Sequence, residues 1–319
     1  MKQMSLARGG FERYGKTTKR AAFLSEMDRV VPWSGLCALI EPYYPKAGRG
    51  RQPVGLERML RIHFLQHWFN LSDPAVEEAL YESTSMREFV GIDLGHERVP
   101  DETTVLNFRH LLERHELGRQ IFEQVGAHLQ AKGFKLSTGT IVDATLIAAP
   151  SSTKNVKGER DPEMKQSKKG KQWYFGMKAH VGVDARSKLI HRVVATSGNV
   201  HDSKVLPQLL HGQEAAVWGD AAYVGQSQVI EQHSPWAQDL TQQRGRGYKY
   251  LSQMQREINR KRSKVRARVE HAIGVIKRIF GFAKVRYRGL AKNGNRLFVA
   301  AALANLFTVR RPLLDGLRA

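Results

Sequence analysis

The sequence predicts an α/β protein in which an all-helical N-terminal region precedes a region of mixed sheet and a long basic helix. Three observations carry that prediction. Apolar residues recur at helical spacing as far as about residue 133, and short β-branched runs replace them from about residue 138. Positive charge then gathers late in the chain. Arg244 to Arg296 holds seventeen lysines and arginines against two acids, Glu257 and Glu270.

Residues 1–20 are polar and basic and read as a flexible arm. Leu56, Leu60, Phe64 and Trp68 recur every four residues, the stripe of a helix. Asp73 is a candidate N-cap, with Pro74 at the first helical position and Val76 to Tyr81 following. Asp101 caps a third helix whose stripe is Val105, Phe108 and Leu112. These short capped helices, within residues 21–135, suit either a helix-turn-helix DNA reader or a plain helical domain.

Residues 136–319 form the second region. Thr138 to Ile147 is a strand containing Asp143, and a lysine-rich loop runs from Ser151 to Lys171. The loop suits a clamp on a polyanion as well as it suits a solvated segment. Strands at Tyr174–Val183 and Leu189–Thr196 flank a turn, Asp184 to Lys188, and make a hairpin. Ser203 to His211 reads as helix, and Ala215 to Asp220 as a short buried strand that ends on its acid. Helix resumes after Gly225, and a basic helix covers Ser252 to Ile279.

Of 319 residues, 51 are Lys or Arg and 30 are Asp or Glu, a formal net charge of +21. Folding does not require that excess; it points to a polyanionic partner, with nucleic acid the default. Cys37 is the only cysteine, which excludes an internal disulfide and suits a reducing cytosol. The first twenty residues have no apolar segment of a secretory leader, and no membrane span is expected. The expected location is the cytoplasm, beside the nucleoid.

Asp143 and Asp220 close apolar strands, where an unpaired carboxylate would cost several kcal/mol. Two carboxylates about 4 Å apart repel by roughly 4 kcal/mol at an effective dielectric of 20. A divalent cation removes that repulsion, and hard oxygen donors without a Cys or His cluster favour Mg²⁺, with Mn²⁺ as substitute. Glu270 shares a helix face with Arg266, Gly274 and Lys277. Alone it reads better as a surface partner of Arg266; Gly274 shifts the reading slightly by clearing room for a DNA backbone. His63 and His67, one helical turn apart, lack further ligands and read as structural histidines. Trp173 and Trp218 read as core, although Trp173 at a loop-to-strand edge also suits base stacking.

At this point the chain resembles the DDE transposases of small bacterial insertion sequences, in the insertion-sequence-five family. Four strings carry the resemblance: Val142-Asp143-Ala-Thr; Pro150-Ser-Ser-Thr-Lys-Asn155; Gly176-Met-Lys-Ala-His180 with Val183-Asp184; and Asp220-Ala-Ala-Tyr223. Arg266-x₃-Glu270-x₆-Lys277 is a fifth, and the likeness spans nearly the whole chain. It implies an RNase H-like catalytic fold with Asp143 on the first strand, Asp220 at the end of the fourth and Glu270 on a late helix. Related families carry a tyrosine three residues before the arginine, where this chain has Ser263. That tyrosine's role is therefore not carried over.

The implied activity is cleavage of double-stranded DNA at the element ends and joining of the freed 3′-OH ends to target DNA. The three acids would hold two metal ions. Arg266 and Lys277 would hold phosphates, and Arg262, Lys261, Arg286 and Arg288 would track the DNA backbone. A homodimer or larger assembly on DNA follows from the need to pair two ends. His201 and Asp202 match the family pattern, with no physical role legible in the sequence. An endonuclease that does not join strands, and a domesticated DNA-binding protein without catalysis, are the competing readings.

Overall fold

The computed structural model describes residues 16–49, 52–134, 138–245 and 250–316. Most of the expected basic arm lies outside the described residues, and its last two positions, Lys19 and Arg20, already belong to the first helix.

Among the described residues, seven α-helices build the N-terminal region: α1 (Lys19–Val30), α2 (Trp33–Ile40), α3 (Leu56–Trp68), α4 (Asp73–Glu82), α5 (Thr84–Val90), α6 (Glu102–Arg114) and α7 (Leu117–Ala131). Local chemistry sets their ends. The Thr18 hydroxyl accepts from Ala21 N, and the Asp101 carboxylate accepts from Thr104 N, as expected. The cap of α4 is Ser72, one residue before the expected Asp73. Asp73 instead accepts from Gln66 Nε2 and pairs with the buried Arg109 at 3.2 Å.

The α3 helix is buried almost all round, not on a single stripe, and His63, Gln66 and His67 are enclosed with it. It is the centre of a helical cluster and has no free face with which to read DNA. Burial is also the first reason why the pKa of His63 falls to about 3 and that of His67 falls well below the usual range. Both are neutral core side chains.

The sheet follows: β1 (Gly139–Ala148), β2 (Lys165–Lys169), β3 (Gln172–Asp184), β4 (Ile190–Ser197), β5 (Ala216–Trp218) and β6 (Gln238–Asp239). On one side of β1 lies antiparallel β3, which pairs antiparallel with β4 and, further along, with β2. On the other side β5 and then β6 run parallel to β1 and to each other. The sheet is thus mixed, as predicted. Two strands were not predicted. The end of the lysine-rich loop is β2, and β6 is only two residues long. The Ser203–His211 helix is shorter than expected, a 3₁₀ turn at Asp202–Val205 running into α8 (Leu206–Leu209).

Three more helices complete the chain: α9 (Ser227–His233), α10 (Gln253–Gly274) and α11 (Leu290–Gly316). By length and composition α11 is apolar enough to cross a membrane, but two thirds of its most apolar window is buried inside the protein. It packs on α7 and α1 on one side and on β4 on the other. One apolar cluster therefore runs unbroken from Leu24 through Ile141 to Leu314. The helical region and the sheet share this core.

Candidate active site

Asp143 lies midway along β1, between the buried Val142 and the half-buried Ala144. Its side chain is 13% exposed. One carboxylate oxygen accepts from Ala144 N (2.8 Å) and the other from Arg266 Nη1 (3.2 Å). Burial nevertheless pushes its pKa up to about 7. The Ala144 amide and the Arg266 guanidinium pull it down, while the charges of Asp220 and Glu270 push it up again.

Asp220 reaches the same neighbourhood through the sheet register. Parallel β1 and β5 pair Gly139 with Ala216, Thr140 with Val217 and Ile141 with Trp218. The same offset carried two residues past the last pair aligns Asp143 with Asp220. There the chain leaves the strand, and Asp220 caps a 3₁₀ turn, Ala221–Tyr223, by accepting from Ala222 N at 2.9 Å. Gly219 makes the turn possible. A Cβ at that position would lie 2.9 Å from the Tyr223 ring, which folds back beneath it.

Glu270 arrives on α10. Ser252 and Gln255 form a capping box at its start, and the helix runs close to the predicted limits. Val269, Ile273, Ile276 and Phe280 are buried, with Val265 half-buried. That stripe lays the helix against the sheet and leaves Glu270 exposed beside it. Arg266 Nη1 stands 3.7 Å from Glu270 Oε1 as well as 3.2 Å from Asp143 Oδ2, so one guanidinium neutralises both acids. Past Gly274 the helix widens into a π turn, Val275–Ile279. From this turn Lys277 Nζ donates to Thr145 Oγ1 (3.1 Å) and Leu146 O (2.8 Å), a second tie between helix and β1.

Gly274 does not clear room for DNA. It is buried, and a Cβ there would meet Arg278 Nη2, a side chain of the same helix, at 2.8 Å. The other expected DNA contacts separate into two kinds. Lys261 is exposed and makes no ion pair among the described residues, and Arg288 is exposed with one long contact to Arg160 O. Arg262 and Arg286 are engaged in the fold. Arg262 donates to Thr241 O, and Arg286 donates to Asn70 O (2.7 Å) and Asn70 Oδ1 (2.8 Å), tying the chain after α10 to the end of α3.

His201 and Asp202 acquire physical roles. His201 Nδ1 accepts from Ser203 N at the head of the 3₁₀ turn. Asp202 Oδ1 accepts from Lys178 Nζ at 2.9 Å and stands 3.9 Å from Nδ1 of the fully buried His180. The Tyr223 hydroxyl is buried without a hydrogen-bond partner among the described residues. Burial, then the charges of Asp202, Asp143 and Asp220, hold its pKa well above the ordinary value. Lys178, His180 and Tyr223 were not singled out individually by the sequence, although the strings Gly176–His180 and Asp220–Tyr223 contain them.

Among the described residues, no three His, Cys, Asp or Glu side chains stand close enough together to hold a metal ion. The donor chemistry nonetheless fits a hard divalent cation, because the acids offer only oxygen and Asp143 is strained as an anion. A cavity of about 1520 Å³, lined mainly by α7, β4 and α11, contains none of the three acids.

The family model described as "Transposase DDE domain" matches residues 135–306, which takes in all three acids and the whole sheet. A second, "Transposase domain (DUF772)", matches residues 12–111. No solved structure matches the chain. With more than half of its residues under the first model, this chain belongs to the DDE transposases.

Proposed function

We propose that the chain is the transposase of a bacterial insertion sequence, in the insertion-sequence-five group. It would bind the terminal inverted repeats, cleave at the element ends and join the 3′-OH ends to target DNA. The bridging of Asp143 and Glu270 by Arg266 carries this reading, since it draws acids from a strand and a distant helix to one cationic point. The sheet supports an RNase H-like fold: antiparallel on one side of β1, parallel on the other, with Asp143 on β1 and Asp220 just past its parallel neighbour. Leaving the short β2 aside, β5 is the fourth strand that the resemblance requires.

Members of this family are generally dependent on divalent metal. Asp143, Asp220 and Glu270 would hold two Mg²⁺ ions here, or Mn²⁺ in their place. When bound, such ions polarise the scissile phosphate and lower the pKa of the attacking water or 3′-OH. The protein's own groups do the rest. Asp143, buried and poised near neutrality, must be ionised to act as a ligand. Arg266 is aimed between the acids and offers a planar fork to a phosphate, while Lys277 offers a point charge. Lys261 and Arg288 are placed to neutralise flanking phosphates. Working on two ends requires at least a dimer on DNA, in the cytoplasm where the nucleoid lies.

The test is incubation of the purified protein with labelled duplexes carrying an element end and its flank, with Mg²⁺ or Mn²⁺. Nicking at the boundary and strand-transfer products, both lost in Asp143→Asn and Asp220→Asn, are expected. Cleavage without joining would reduce the activity to that of an endonuclease. DNA binding without cleavage of paired ends would leave only a DNA-binding protein.

A further inference from the structure

Strand β2 is built from Lys-Gln-Ser-Lys-Lys, residues with little tendency to form a strand. Pairing with β3 imposes the conformation. Lys169 pairs with Gln172 across a two-residue turn, whose first position is Gly170 at φ +62. The result is a hairpin arm carrying Lys165, Lys168, Lys169 and Lys171, all exposed and without an ion pair among the described residues. Nearby acids are used at the arm's base: Asp161 and Glu163 accept from Gly289 N and Leu290 N at the start of α11.

Trp173 stands on this arm, 61% exposed, with no hydrogen bond to its indole among the described residues and Lys168 Nζ 5.7 Å from its ring centre. Its direction follows from the register. Asp143 pairs with Val181, Thr145 with Ala179 and Ile147 with Met177. Side chains alternate along a strand, so counting on in twos from Met177 gives Phe175 and Trp173. Trp173 therefore faces the same side of the sheet as Asp143, roughly 26 Å along the strand at about 3.3 Å per residue. Lys168, paired opposite Trp173, shares that face. A recess of about 480 Å³, bordered by Arg160, Gln166, Phe175 and Asn199, opens at the base of the arm. The pKa of the Lys277 ammonium is lowered first by burial and then by the charge of Lys169.

We propose that this arm is a DNA finger, in which Trp173 stacks on an unpaired base while Lys168 on the same face and Lys169 and Lys171 at the tip hold the adjoining phosphates. The proposal rests on the transposase reading and adds to it a preference for distorted DNA. An exposed indole flanked by unpaired lysines matches a base and its phosphates, because every base presents a π face and every link a negative charge.

The experiment measures binding of the full chain, in EDTA so that no cleavage intervenes, to two 40-base-pair duplexes. One is fully paired and the other carries two central unpaired thymines. The wild type should favour the second about tenfold (about 1.4 kcal/mol). Trp173→Ala should abolish the preference while binding the paired duplex within twofold, and Trp173→Phe should keep most of it. Equal wild-type binding to the two duplexes, or a preference that survives Trp173→Ala, would overturn the finger and leave the transposase reading standing. Failure to bind either duplex would overturn both. A change of sedimentation in Trp173→Ala with the preference intact would make the arm a contact between copies of the chain, and the DNA finger would fall.

Discussion

Arg266 and Asp143 are 123 positions apart in the sequence, yet Nη1 of one lies 3.2 Å from Oδ2 of the other. The same nitrogen reaches Glu270 at 3.7 Å. A protein cation thus stands where the acids need positive charge. Removing it should free the acids for a metal. In Arg266→Gln without DNA, Mn²⁺ titrated by electron paramagnetic resonance should bind several-fold more tightly than in the wild type. Cleavage by the same variant should fall by about 10- to 100-fold, because the fork proposed to meet the phosphate is gone. Unchanged Mn²⁺ affinity would show that Arg266 and the metal do not compete.

The raised pKa of Asp143 sets a pH dependence. In the unfolded chain the carboxyl ionises near 4, and in the folded chain at about 7. Between those values the folded state holds the extra proton, so metal-free stability should decline as pH rises from about 4 to about 7. Asp143→Asn should flatten that decline and be the more stable protein at pH 8, by roughly 1–4 kcal/mol. Urea denaturation in EDTA at a series of pH values measures it, and parallel curves for the two proteins would refute the assignment.

Two arginine-block residues should behave oppositely. Arg286 joins the segment after α10 to Asn70, which sits at φ +52 and also accepts from Arg296 at 3.0 Å. Arg286→Ala should cost about 0.5–1.5 kcal/mol of stability by removing its hydrogen bonds to Asn70. Lys261→Ala should leave stability unchanged and reduce the slope of log affinity against log salt by about 0.9. Melting curves and salt titrations of DNA binding separate the two.

Glu214 is buried and accepts from His211 N (2.7 Å), Gly212 N (2.8 Å), Ser234 Oγ (2.6 Å) and Thr140 Oγ1 (3.1 Å). Burial alone would raise its pKa, but the bonds from Ser234 and the His211 amide outweigh it, and the pKa is lowered. The stability it supplies is present above the ordinary carboxyl range and lost as pH falls through the lowered value. Glu214→Ala should destabilise the fold by about 3 kcal/mol or more, read from the denaturation midpoint at pH 7.

What the sequence revealed depended on how local the signal was. The basic helix was legible because Ser252 caps it and its stripe repeats in register. The three acids were legible because each interrupts a pattern that ought to be apolar or basic. β2 was not, since a run of lysines is extended only because β3 is beside it. The Asn70–Arg286 tie joins residues 216 positions apart, and nothing near either residue announces the other. Lys178 and Asp202 likewise pair only once the sheet has formed. Helical spacing gave α3 one buried stripe, but packing from several sides buried nearly all of it.

The long helix α11 is a shared keel. Its small buried residues, Ala300 to Ala302 and Ala304, run between the N-terminal helices and the strand β4. A fragment ending near residue 135 would bare the surface that α11 covers and should clump when expressed alone. In the intact chain, a displacement of the front helices would carry the acid-bearing sheet with them through α11.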